Sequence, residues 1–80
     1  MRLFPNPAHG VLFADLKPRT GQALQLRVFN AQGQLVQAVH RVAGEEPLRL
    51  ELPAGLPDGL YLLEAIPACG ERQVGRFLVR

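Results

Sequence analysis

Eighty residues leave room for one hydrophobic core, and 48% hydrophobic with 20% charged residues argues against a disordered tail. The net charge of +2 comes from nine basic residues dispersed among seven acidic ones, so the clustered cationic face that nucleic acid demands is missing, and aromatics at 6% without Trp leave no base-stacking platform. A single cysteine, Cys69, excludes an intrachain disulfide framework, and no apolar run approaches the ~20 residues of a membrane-spanning helix.

Along the chain, turn residues recur at short, even intervals, and apolar and polar residues alternate between them, the period-two pattern of strands with one buried face. Arg2 to Phe4 is a brief edge segment, too short before Pro5 to hold the apolar region of a signal peptide. After Pro5-Asn6-Pro7 and Gly10, a short strand covers Val11 to Ala14 and ends at the turn Lys17-Pro18-Arg19-Thr20-Gly21. Leu24, Leu26 and Val28 then point to one face and Gln25 and Arg27 to the other. Asn30-Ala31-Gln32-Gly33 turns the chain into Gln34 to Val39. Leu35, Val36 and Val39 of that stretch also fit one face of a helix, but Gly33 and Gly44 bracket it too tightly for one.

Beyond the turn Gly44-Glu45-Glu46-Pro47, Leu48, Leu50 and Leu52 oppose Arg49 and Glu51. A loop from Pro53 through Gly59 leads into Leu60-Tyr61-Leu62-Leu63-Glu64-Ala65-Ile66, apolar at nearly every position, as expected of a central strand covered on both faces or packed at the middle of the core. Ala68-Cys69-Gly70 precedes a last strand, Val74 to Val79. These elements predict one all-β domain over residues 1–80, an immunoglobulin-like antiparallel sandwich of about seven short strands.

The chemistry-bearing residues do not assemble into a reactive set. His9 and His40 have no Cys, Asp or Glu at metal-ligand spacing and read as exposed or turn residues, so no metal site is expected. Ser is absent, Cys69 has no histidine nearby in sequence to activate it, and no glycine cluster precedes a helix. Asp15, Glu45, Glu46, Glu51, Asp58, Glu64 and Glu71 read as solvating charges in turns or on outward strand positions. The chain is therefore expected to be no enzyme, with no catalytic residues, no cofactor and no small-molecule substrate.

Other positions have clear conformational roles. Pro5 and Pro7 fix two φ angles and remove two donors, which blunts a sheet edge. Asn6 is suited to cap its turn, and Gly33 and Gly59 suit positive φ. Tyr61 brings a ring into the core with a hydroxyl able to reach a loop carbonyl, as in the tyrosine corner of immunoglobulin-like domains, and the four Phe are expected in or near the core. Arg76 and Arg80 lie on a cationic final strand read as accessible and not needed for the core.

Three stretches in this order, Phe4-Pro5-Asn6-Pro7-Ala8, Leu26 through Val36 with Gly33 at the turn, and Leu56-Pro57-Asp58-Gly59-Leu60-Tyr61-Leu62-Leu63, followed by Arg76-Phe77-Leu78-Val79-Arg80, resemble the type A C-terminal sorting domain of the type IX (Por) secretion system of Bacteroidetes-type bacteria. The chain departs from the family pattern in separating Asn30 from Gly33 and in placing Arg80 where Lys is common. The resemblance implies an address domain preceded by a larger cargo protein. Such a domain passes through the periplasm, is read by the outer-membrane export machinery, and is removed by a sortase-like protease as the cargo reaches the cell surface or medium. It implies that Arg76, Phe77, Leu78, Val79 and Arg80 are read by that machinery, while Pro5, Asn6, Pro7, Gly33, Gly59 and Tyr61 are mostly structural. A non-catalytic fibronectin-like binding module, or a spacer of a surface protein, is the alternative reading.

Overall fold

The computed structural model describes residues 1–16, 21–44 and 47–80. The expected turn at Lys17 to Thr20 and the carboxylates Glu45 and Glu46 lie outside the described residues. Seven strands follow in chain order: β1 (Arg2–Phe4), β2 (Val11–Asp15), β3 (Ala23–Asn30), β4 (Leu35–Val42), β5 (Leu48–Glu51), β6 (Gly59–Pro67) and β7 (Gln73–Val79). They form two antiparallel sheets, one ordered β1-β2-β5 and the other β4-β3-β6-β7, in the expected sandwich. The stretch after Gly33 that also fitted a helical face is strand β4, paired with β3 from Ala23↔Val42 to Phe29↔Leu35.

The alternation read from the sequence sets the core. Leu24, Leu26 and Val28 of β3 are buried, as are Leu12 and Ala14 of β2 and Leu50 of β5, while Arg49 and Glu51 are exposed. Tyr61, Leu63 and Ala65 of β6 join Phe77 and Val79 of β7 to complete the layer between the sheets. Burying each large side chain is worth roughly 1.5–3 kcal/mol, so this layer supplies most of the stabilisation.

Gly33, at φ +84°, provides the left-handed position that closes the turn between β3 and β4. The same turn is fastened by Asn30, whose Oδ1 accepts from the backbone N–H groups of Gln32 (3.0 Å) and Gln34 (2.9 Å). Gly75 serves a different need: a Cβ there would lie 2.9 Å from Leu3 Cδ1 and 3.0 Å from Met1 Cε, so its bare backbone lets β1 pack close against β7.

Of the two settings expected for β6, the structure has the middle of the core and not cover on both faces: Tyr61, Leu63 and Ala65 point inward, whereas Leu60 on the opposite face is 42% exposed. Nor do the four Phe gather in the core. Phe77 is buried, but Phe4 and Phe13 stack on the outer face of the three-stranded sheet with ring centroids 5.6 Å apart, and Phe29 takes the outer face of β3. The reason is parity. Leu12 and Ala14 point inward, so Phe13 between them must point out.

Phe77 is 1% exposed and stacks on Tyr61 at 5.9 Å between ring centroids. Truncating it as Phe77→Ala is expected to cost about 3–5 kcal/mol, a large part of the roughly 5–10 kcal/mol that a domain of this size holds. Deleting residues 76–80 removes Phe77 and Val79 together, and the truncated chain is expected to lack a cooperative thermal transition by circular dichroism. A cooperative transition near that of the intact chain would show that β7 is dispensable to the fold.

Candidate functional site

β7 is an edge strand by sheet order, with β6 on one side only. The end of its other side, from Leu78 to Arg80, is occupied by the Pro5-Asn6-Pro7-Ala8 segment. Two prolines there have no N–H to offer, so the segment cannot run a regular ladder, and the pairing is made by the residues that follow each proline. Asn6 Oδ1 accepts from the Leu78 N–H at 2.9 Å, the Ala8 N–H donates to the Leu78 carbonyl at 2.6 Å, and the Arg80 N–H donates to the Ala8 carbonyl at 3.1 Å. Ala8 and Val79 form a parallel bridge, and Ala8 is fully buried. Asn6 thus acts as a surrogate backbone acceptor for the last strand rather than as the cap of its own turn.

On the β6 side the register sets Gly59 opposite Val79, Leu60 opposite Leu78, and Tyr61 opposite Phe77. Tyr61 donates its hydroxyl to the Pro57 carbonyl at 2.6 Å, the loop-carbonyl bond expected of it, which pins the loop leading into β6. The β3 turn reaches the same end of the sheet, where Asn30 pairs with Tyr61 and Phe29 with Leu62. All the short motifs scattered along the chain therefore meet at one end of the four-stranded sheet, around the last strand.

Among the residues expected to be read by a partner, β7 divides into two sets. Phe77 and Val79 are buried at 1% and 5% exposure, while Arg76, Leu78 and Arg80 are exposed. The final strand is accessible only on alternate side chains and is part of the core, contrary to the expectation that it was not needed there; its extended backbone, paired with β6, imposes this.

Sequence reasoning missed Glu64. It lies on the outer face of β6 yet is 5% exposed, covered by two arginines. Arg27, directly opposite on β3, donates from Nε to Oε1 at 2.7 Å and places Nη2 at 2.5 Å from the same oxygen, while Arg72 Nη1 donates to Oε2 at 2.6 Å. Arg27 also lies over the Phe29 ring at 5.4 Å from its centroid. The sequence held one clue, a lone carboxylate inside an apolar run, but Arg27 is 37 residues away and only the β3–β6 register brings it across.

His9 and His40 are exposed, as read from the sequence, and His9 Nδ1 lies 2.7 Å from the Arg80 carbonyl oxygen. That contact borders a shallow depression of about 500 Å³ between Leu52, Leu56, Asp58 and Val79. Among the described residues no group of three or more His, Cys, Asp or Glu could hold a metal ion, and Cys69 is an exposed free thiol.

A family model described as the secretion system C-terminal sorting domain matches residues 2–79. The chain belongs to this family. No curated protein and no solved structure matches it. The sorting-domain family carries a signal for type IX secretion, associates with that secretion machinery, follows a cargo protein, and directs export to the cell surface or extracellular space. Its members are typically non-catalytic. In this sorting domain Asn6, between Pro5 and Pro7, bonds the Leu78 N–H on one edge of β7, and Gly59 and Tyr61 lie opposite Val79 and Phe77 on the other.

Burial acts to raise the Glu64 pKa, but hydrogen bonds and charge from Arg27 and Arg72 outweigh it and hold the carboxyl below its ordinary value of 4.5. A group whose pKa is lower folded than unfolded stabilises the fold fully above its unfolded pKa and loses that contribution as pH falls through the folded one. Glu64→Gln is expected to destabilise the domain by about 1–2 kcal/mol at pH 7, as for loss of charge-assisted hydrogen bonds. The difference from the parent shrinks as pH drops from about 4.5 through the lowered folded pKa. Urea unfolding of both chains at pH 7 and pH 3 checks this: an equal difference at the two pH values would remove the charge from the account.

Proposed function

We propose that this domain is the folded address label of a larger protein, which crosses the periplasm, is read at the outer membrane through the outward side chains of β7, and is then cut off by a sortase-like protease. Arg76, Leu78 and Arg80 present the reading surface, and Phe77 and Val79 hold it in register from the core. The observation that carries this reading is the convergence of the family motifs on β7. Two of its exposed side chains are guanidiniums, which form bidentate hydrogen bonds with carboxylates and so suit recognition of an acidic protein surface.

Removal of the domain after transport fits its architecture. The domain closes its own core and covers the edge of its last strand, so it forms a unit that a protease can separate without disturbing the cargo. The reading surface depends on folding, because the alternation that exposes Arg76 and Leu78 follows from pairing with β6, and Arg80 is held by Ala8.

The test fuses residues 1–80 behind a periplasmic reporter in a host that has the secretion system. The expected outcome is reporter in the medium or on the cell surface, with intact-mass analysis showing the 80 residues gone. A reporter retained in the cell would return the chain to the spacer or binding-module reading, for which the stacked Phe4 and Phe13 on the other sheet are the available surface.

A further inference from the structure

The outer face of the four-stranded sheet is more apolar than its fold requires. The domain exposes five large hydrophobic side chains among its described residues, Leu35 at 53%, Val42 at 67%, Leu60 at 42%, Val74 at 52% and Leu78 at 41%. Strand register places all five on that one face: Leu35 opposite Phe29, Val42 opposite Ala23, Val74 opposite Glu64, and Leu60 opposite Leu78. An antiparallel sheet with one solvated face ordinarily alternates apolar-in with polar-out, and contiguous exposed apolar area marks interaction sites. The near-continuous apolar run of β6 has its explanation here. Leu60 and Leu62 on its outward positions are not core residues.

Three of these positions, Leu35, Leu60 and Leu78, are adjacent through their neighbours. Leu35, Phe29, Leu62 and Arg76 form one row across β4, β3, β6 and β7, and Leu60 with Leu78 forms the next row toward the end where the motifs meet. Directly opposed residues in antiparallel pairs stand about 5 Å apart at Cβ, so these side chains make one surface. Arg76 lies within it and makes no ion pair among the described residues, unlike Arg27 and Arg72, which share Glu64. Among the described residues of its strands and the β6–β7 turn, the face thus sets Arg27, Arg72 and Arg76 against the carboxylate of Glu64.

We infer that Phe29, Leu35, Leu60, Leu62 and Leu78, with Arg76 at their edge, form a protein-docking surface whose partner is a component of the secretion machinery presenting apolar side chains beside a carboxylate that meets Arg76. This rests on the sorting function proposed above and extends its reading surface from β7 across the sheet. Charge selects the partner: a second copy of this chain would bring an excess of arginine against the same excess, whereas an acidic apolar surface complements it.

The substitutions Leu60→Gln with Leu78→Gln, and separately Arg76→Glu, alter exposed side chains and leave the core intact. In the reporter fusion each is expected to lower export at least about tenfold, as loss of an interface anchor does. Arg76→Lys is expected to retain most export. Val42→Gln, on the same face but at its far end, is expected to leave it unchanged. Circular dichroism and thermal midpoints of the variants confirm folding. Export of the intact fusion together with undiminished export of L60Q/L78Q and R76E would overturn the docking surface alone. Retention of the intact fusion would remove the sorting function and this surface with it. Sedimentation that finds the parent chain dimeric at micromolar concentration and L60Q/L78Q monomeric would assign the face to self-association instead and overturn the proposed partner.

Discussion

Three hydrogen bonds between the Asn6–Ala8 segment and the end of β7 close an edge that sheet order would otherwise leave open. Unpaired backbone groups along an edge strand invite foreign strands, and native folds cover, shorten or interrupt such edges. Here the cover is made by a segment that prolines keep out of a regular ladder, with one asparagine side chain standing in for a main-chain acceptor. Because Phe77 and Val79 project from the strand so held, the same contacts fix part of the hydrophobic layer between the sheets. The outward side chains Leu78 and Arg80 are positioned as a direct result, while Arg76 is set by its pairing with Leu62 of β6.

Much of this fold is legible in the amino-acid sequence because its signals are local. Turn residues at even intervals mark seven strands, and alternation in Leu24 to Val28 and Leu48 to Leu52 assigns their buried faces. What escapes such reading depends on register. Asn6 and Leu78 are 72 residues apart, and nothing near either one says that a side chain of the first accepts from the backbone of the second. The ion cluster at Glu64 is hidden for the same reason. Val11 to Ala14 is apolar at every position, so periodicity could not say whether Leu12 or Phe13 faces the core.

The apolar outward positions of β6 show how one pattern has two physical meanings. A run such as Leu60 to Ile66 describes a strand packed on both sides equally well as one packed on one side with a docking surface on the other. Only the layer count separates the two, and this sandwich has no third layer over its four-stranded sheet among the described residues. In place of that layer, Glu64 is sheltered by Arg27 and Arg72, which keeps a charged centre within an otherwise apolar face. On the function proposed above, sorting reads the shaped surface of a folded domain.

The segment around Asn6 holds the final strand, and amide hydrogen exchange reads that hold at a single residue. Leu78 donates its N–H to the Asn6 side chain and to no backbone acceptor in a regular ladder. The Leu78 amide is expected to be protected nearly as strongly as the central amides of β3, and Asn6→Ala is expected to strip protection from Leu78 while sparing β3. Exchange of the Leu78 amide at the rate of an unstructured chain in the parent protein would contradict it.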